Sequence, residues 1–282
     1  MGKEPRNTPK IIDSRVRVCK HSSMNVNDLD LVKSASRVLY IFEVFAKTGR
    51  SMSLAELARD LAIPRSSCLA LLRTLSSRGY LYSVGTNGYY PTRMLYEMAE
   101  VIARHDPLIE SVLPIATALR NRTKETVILG KRQDDRVIYL LVIESEQTIR
   151  YSAHPGYFKP LHGSASGKAL LAVLPENERS ALLKHLELPV ITPRTITDPH
   201  ELEKDLRAGT ARGWQFTEGE NVPDVIAIAA PVQLNGEAYA LVVTGPTHRM
   251  KAELERHGQS LVESCRLLES GRTMSGMNNQ SI

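Results

Sequence analysis

The chain has 282 residues, 42% hydrophobic and 24% charged, with a formal net charge of +5. That length holds two domains, each able to bury its own core, and the composition is that of a globular chain rather than a disordered or fibrous one. No apolar run reaches the roughly 18 residues of a membrane helix.

Residues 1 to 29 carry no periodicity and are expected to form a flexible arm. The arm is polar and mixed in charge, without a signal-peptide core, and Arg6 stands where a myristoylation signal places Ser or Thr. From Leu31, apolar residues recur at helical spacing through Ala35, Val38, Leu39, Phe42 and Phe45, ending near Thr48-Gly49. Ser53 with Glu56 three residues on forms a capping box that opens a second short helix. Ile63-Pro64 breaks it, and Pro64 suits the start of a third helix, RSSCLALLRTLSSRG, with Leu69, Leu72 and Leu75 as its inward stripe. YLYSVGTNGYYPT then reads as two short strands around an Asn87-Gly88 turn. Three helices and a hairpin in this order make a winged helix-turn-helix over residues 30–92. From Lys33 to Arg93 nine bases face three acids, a basic concentration expected of a DNA partner. The third helix would lie in the major groove. Arg65, Ser66, Ser67, Ala70 and Arg73 fall opposite the leucine stripe, and Asn87 sits at the tip of the wing. Arg65 suits bidentate contact to guanine, and the serines suit phosphates or base edges.

MLYEMAEVIARH reads as an amphipathic linker helix within residues 93–106, stopped by Asp106-Pro107, after which LIESVLPIATALRNRT opens a second domain over 107–272. Strands are expected at TVILGKR, DRVIYLLVIES, TIRYSA, IAIAAPVQL and EAYALVVTG, with turns at Gln133-Asp134-Asp135 and Asn235-Gly236. Helices are expected near 165–174, 176–187, 199–212 and 249–270, with a polar tail at 273–282. Hairpins interrupted by helices indicate an α+β fold with an antiparallel sheet rather than regular α/β alternation.

The stretch LHGSASGKALLAVLP resembles a phosphate loop but fails its tests. Gly163 to Lys168 is one residue short of GxxxxGK[ST], Ala169 replaces the magnesium-binding hydroxyl, and Ala165 occupies the serine position of GxSxG. What remains is a helix capped by Ser164 or Ser166: on the loop alone an ordinary capped core helix first, and second a helix whose N-terminal amides attract a carboxylate without a catalytic residue. No histidine pair has metal spacing, and Cys19, Cys68 and Cys265 are too dispersed and odd in number for a disulfide framework. Glu218 and Glu220 fall in the turn TEGENVPD and are expected to be exposed. No catalytic residue, cofactor or metal is expected. The alternatives are an enzyme using the Gly163–Lys168 loop as a nucleotide or small-molecule site, and a protein-interaction module.

The sequence LAELARDLAIPRSSCLALLRTLSSRGYL, the wing ending YYPT, the loop GYFKPLHGSASGKALLA, the segment IAAPV and the strand ending VVTGP together resemble the IclR-type bacterial transcriptional regulators, in family order across nearly the whole chain after the arm. The resemblance implies a winged helix-turn-helix, a linker helix and a GAF-like effector domain. It also implies a cytoplasmic homodimer or dimer of dimers that binds double-stranded operator DNA and represses or activates a catabolic operon. By position, Gly163, Ser164, Ala165, Ser166 and Gly167 would form the effector loop, with Ala227, Val242 and Thr244 on the facing strands. Ala227 stands where the family often has cysteine, Val242 replaces one of two common hydroxyls, and Ala70 stands where arginine is common. The more apolar wall favours a carboxylate with an apolar or aromatic body over a tiny polar acid.

Overall fold

A computed structural model describes residues 32–271, which divide into two compact units on either side of Arg104 and His105. The expected arm and the polar tail lie outside the described residues.

In the N-terminal unit α1 (Lys33–Thr48) is followed by β1 (Met52–Ser53), α2 (Leu54–Asp60) and α3 (Arg65–Ser77), then by β2 (Leu81–Val84), β3 (Gly88–Pro91) and α4 (Met94–Arg104). Ser53 caps α2 in the expected box: its hydroxyl accepts from the Glu56 amide, while Glu56 Oε2 accepts from the Ser53 amide at 2.8 Å. The Ser53 amide, then its hydroxyl, then Arg50 hold the Glu56 carboxyl down at about 2. The turn between α2 and α3 passes through Ala62 at φ 52, closed by the Ile63 amide on Ala58 O. Ile41, Val44, Phe45, Met52, Leu57, Cys68, Leu72, Leu75 and Leu81 make the core.

The inward faces differ from the periodicity. Leu39 is 64% exposed and Ile41 and Val44 are buried in its place, while Cys68 takes the position expected of Leu69. Leu39, Tyr40, Ile41 and Phe42 are consecutive apolar residues pointing around most of the helix, so packing and not spacing selects the buried edge. The wing turn also differs. Val84 pairs with Gly88, three residues connect them, and Gly85 rather than Asn87 or Gly88 takes the left-handed backbone at φ 60.

The C-terminal unit comprises α5 (Pro107–Thr123), β4 (Thr126–Gln133), β5 (Arg136–Ile143), β6 (Phe158–Pro160), α6 (Ala165–Ala172), α7 (Glu176–His185), α8 (Pro199–Arg212), β7 (Gln215–Glu218), β8 (Val225–Leu234), β9 (Glu237–Pro246), α9 (Thr247–Ala252) and α10 (Leu254–Glu269). The strands form one antiparallel sheet in the order β6-β5-β4-β9-β8-β7. Both expected tight turns form: Asp134 takes φ 55, and Asn235 and Gly236 take φ 53 and 79, as a two-residue hairpin needs.

Alternation in the strands divides two cores. Val127, Leu129, Ile226, Ile228, Leu241 and Val243 face α5 and α10. Ile128, Ala229, Ala240 and Val242 face α6 and α8. Alanines on this second face of β8 and β9 let α6 lie close, and each fully buried Leu or Ile in these cores contributes about 1.5–3 kcal/mol.

TIRYSA forms no strand. The segment is held instead through side chains: Thr126 Oγ1 donates to the Tyr151 carbonyl at 2.6 Å, and the Ser152 and Arg150 side chains both donate to the Glu144 carboxylate. The edge strands β6 and β7 and the short β1 were not expected, and the last helix is interrupted at Glu253, where φ is −121.

Candidate functional site

Between α6 and the facing strands lies a cleft lined by Tyr139, Lys159, Ser164, Ser166, Glu220, Ala227, Val242 and Thr244, among others. The capped start of α6 forms one wall. Ser164 Oγ donates to Pro160 O at 2.6 Å, accepts from the Gly167 amide at 3.1 Å and meets Ser166 Oγ at 3.2 Å. Across from it, the register sets Ala227 beside Thr244 and Ala229 beside Val242, so one methyl, one isopropyl group and one hydroxyl share the opposite wall. Burial first, then the neighbouring Tyr151, pushes the Tyr139 phenol well above its ordinary range and keeps it a neutral donor.

Of the positions expected from sequence, Ser164, Ala165, Ser166, Ala227, Val242 and Thr244 come together here; Gly163 and Gly167 do not line the cleft. Gly167 has a steric duty instead. A Cβ there would come within 2.2 Å of Leu161 O and 2.4 Å of Leu161 Cα, so only glycine lets α6 pack on that segment.

Sequence reasoning missed Lys159, Thr217, Glu220, Asn221 and the two tyrosines. Glu220 corrects an expectation directly: it is 7% exposed rather than a surface residue of a loop. The reason is Lys168, fully buried on α6, whose ammonium lies 2.7 Å from both Glu220 Oε1 and Asp205 Oδ2. Burial raises the Glu220 carboxyl above its ordinary value, and Lys168 opposes that rise. The Glu220 backbone is pinned as well, its carbonyl accepting from Thr195 Oγ1 at 2.7 Å. The lysine that suggested a phosphate loop is therefore committed to two carboxylates of its own chain.

The enclosed part of the cleft holds about 30 Å³, room for about two waters. It continues into an open cleft of about 790 Å³ bounded by Ile149, Tyr151, Tyr157, Val222, Val225 and Pro246, and Lys159 borders both parts. Lys159 Nζ is 2.9 Å from the neutral Asn221 Oδ1 and pairs with no carboxylate among the described residues. An aromatic ring, needing on the order of 150 Å³ of enclosed space, does not fit the inner part, which accommodates a carboxylate head.

In the N-terminal unit Arg65, Ser66, Ala70 and Arg73 are exposed on one side of α3, Ser67 is half-buried, and Asn87 is exposed on the wing. Arg65 and Arg73 make no ion pair with any described residue. Among the described residues no group of His, Cys, Asp and Glu is placed to hold a metal ion, and no helix is long and apolar enough to cross a membrane.

A winged helix-turn-helix with a basic outward helix, joined in one chain to a sheet domain with a polar-headed cleft, defines a DNA-binding regulator with an effector domain. The family descriptions agree: "Bacterial transcriptional regulator IclR C-terminal" matches residues 100–268, and "IclR helix-turn-helix domain" matches residues 34–85. The chain belongs to the IclR family of bacterial transcriptional regulators, a family of DNA-binding proteins rather than enzymes. It is 32% identical over 252 residues to the HTH-type transcriptional regulator BhcR of Paracoccus denitrificans, covering 88% of this chain and 90% of the relative. The fold matches that of the Thermotoga maritima IclR with a TM-score of 0.73 at 23% identity, covering 85% of this chain and 98% of that one. It also matches an IclR homologue from Microbacterium hydrocarbonoxydans complexed with 4-hydroxybenzoate, with a TM-score of 0.67 at 22% identity, covering 84% and 98% of the two chains.

Proposed function

We propose that this regulator controls a catabolic operon in the cytoplasm and is switched by a carboxylate bound between α6 and the small-residue face of β8 and β9. The observation that carries the reading is the two-part cleft. Its inner end is sized for a carboxylate among Ser164, Ser166 and the α6 amides, and its outer part offers tyrosine, valine and proline surface to an alkyl or aromatic body. Lys159 at the junction supplies the countercharge. Ala165, Ala227 and Val242 form the apolar wall, Thr244 a polar point on it, and Gly163 and Gly167 set the backbone of the loop.

On the DNA side, α3 enters the major groove, Arg65 reads a guanine edge, Ser66, Ser67 and Arg73 contact the backbone, the Ala70 methyl contacts a base, and Asn87 on the wing reaches a neighbouring phosphate. The chain acts as a homodimer or a dimer of dimers, because two half-sites require two recognition helices. The linker α4 supports this: it buries none of its residues and leaves Met94, Tyr96, Met98 and Ile102 exposed. Effector regulates by binding one arrangement of the subunits better than the other, and can shift DNA affinity only by that difference.

Selection of bound fragments from sheared genomic DNA, with wild type and Arg65→Ala side by side, tests the reading. Discrete wild-type peaks that weaken in Arg65→Ala are expected. Uniform retention of fragments by both proteins would remove α3 as the sequence reader.

A further inference from the structure

The cluster of Lys168, Glu220 and Asp205 borders the effector cleft but makes none of the contacts to a bound carboxylate described above. Lys168 Nζ lies 2.7 Å from Glu220 Oε1 and 2.7 Å from Asp205 Oδ2, so one ammonium serves two carboxylates and the cluster keeps one negative charge in excess. The Glu220 carboxyl is fixed in place, accepting also from the Ile196 amide. Lys168 is fully buried, and the Glu220 side chain is 9% exposed against 30% for Asp205. The excess charge is therefore held where solvent screens it poorly. Glu220 lines the inner cleft, and Lys168 stands one turn into α6 from the Ser164 cap, about 6 Å along the helix axis. A carboxylate bound at the α6 amides brings a second negative charge to about that distance from the first.

We propose that effector binding is coupled to proton uptake: when an anion fills the inner cleft, Glu220 takes one proton from solvent while Lys168 remains paired with Asp205. The cluster then passes from one excess negative charge to none. This rests on the cleft being the effector site and gives that site a dependence on pH. The other charged groups around Glu220 do not cancel the effect. Lys159, set between the Asn221 amide and the Tyr151 ring, brings its charge to the cleft before any ligand arrives. Arg194, beside Gly219, pairs with Glu218 at 3.2 Å. Burial keeps the Tyr139 phenol neutral. His162 is the rival proton acceptor, held neutral chiefly by burial, with Lys168 nearby acting in the same direction. Burial already raises the Glu220 carboxyl against the pull of Lys168, and a bound anion raises it further. Affinity is thus greatest at acid pH. It falls as pH rises from the unliganded to the liganded value, a window lying above the ordinary 4.5, and is level beyond it. At about 6 Å and an effective dielectric constant of about 20, one added charge changes a carboxyl's proton affinity about tenfold or more.

The test is calorimetric titration of the full chain with phenyllactate, a carboxylate with an arylalkyl body, in pairs of buffers that differ in ionisation enthalpy. The range is about pH 5.5 to 8, where the acid itself stays ionised. Proton uptake is expected to show as a binding heat that depends on the buffer, with affinity about tenfold weaker at the alkaline end. In Glu220→Gln the amide oxygen remains for Lys168, and the buffer dependence is expected to vanish. Its affinity at about pH 8 is expected to rise toward the wild-type value at acid pH, a gain that a merely damaged site would not give. His162→Gln is expected to keep the wild-type uptake. Wild-type heats that are the same in both buffers across the range, or uptake that survives Glu220→Gln, would overturn the proposal while leaving the cleft as a carboxylate site. No binding at any of these pH values would remove the cleft reading itself, and the proposal with it.

Discussion

Replacing Lys168 with Met keeps most of the side-chain volume and removes the charge that holds α6 to Glu220 and Asp205. Asp205 is 30% exposed at its side chain and can be solvated. Glu220 cannot, at 9% side-chain exposure, so its carboxylate must be buried unpaired or take up a proton. Breaking one side of a buried pair costs about 3–5 kcal/mol. For a unit of this size, a urea slope of about 2 kcal/mol per molar converts that into a midpoint lowered by about 1.5–2.5 M. The chain has a single tryptophan, and Trp214 is buried among the sheet and α10, so its fluorescence reports the C-terminal unit alone. The loss also has a sign in pH. With no cation beside it, Glu220 in the folded variant binds its proton above the ordinary value of 4.5. Between those two values the folded state then holds more protons than the unfolded one, so stability rises as pH falls through that window. The deficit against wild type is expected to be larger at about pH 8 than at about pH 5, and Lys168→Met with Glu220→Gln is expected to recover much of it. A loss below 1 kcal/mol on the scale of such pairs, or one that neither acid nor the second substitution relieves, would refute the argument that Lys168 is a structural cation.

Gly167→Ala is expected to destabilise the C-terminal unit by about 2 kcal/mol, because overpacking against the Leu161 backbone outweighs the gain of about 1 kcal/mol in helix propensity; a neutral result in the Trp214 urea curve would show that α6 is not held so close. Ser53→Ala removes the α2 cap and is expected to cost the N-terminal unit about 1 kcal/mol, seen as a lower midpoint by circular dichroism with the Trp214 transition unchanged. Burial lowers the pKa of both His162 and His257. Their neutral forms therefore stabilise the fold above the ordinary value of 6.5, and that contribution is lost as pH falls below it. Melting of wild type and His162→Gln across that window is expected to show a smaller acid loss in the variant.

Elements whose signals are local were legible from the sequence. Ser53 with Glu56, Asp106-Pro107 and Asn235-Gly236 each carry their hydrogen-bonding or backbone requirement within a few residues, and each formed as read. The order of helices and wing, and the antiparallel sheet of long apolar strands, followed from such units. Features created by distant partners were not legible. Phe158–Pro160 and Gln215–Glu218 are strands only because Arg136–Ile138 and Ile226–Ala229 lie beside them. Leu39 gave way to Ile41 because neither propensity nor spacing distinguishes adjacent apolar residues on a crowded helix. At the cleft, the α6 cap could be read from Ser164 and Gly167, whereas the pairing of Lys168 with Glu220 joins residues 52 apart in sequence. Lys159 stands inside the loop GYFKPLHGSASGKALLA but was not singled out there; it matters because it borders both parts of the cleft, with the Asn221 amide and the Tyr151 ring as its neighbours.

Occupancy of the cleft is expected to change DNA binding. The most direct measurement is titration of the full chain onto a fragment recovered by genomic selection, with and without saturating phenyllactate, for wild type and Lys159→Gln. The acid is expected to shift the wild-type binding curve and leave the Lys159→Gln curve in place, while both proteins bind the fragment alike without acid. Superimposable wild-type curves, at an acid concentration shown by calorimetry to fill the cleft, would contradict it.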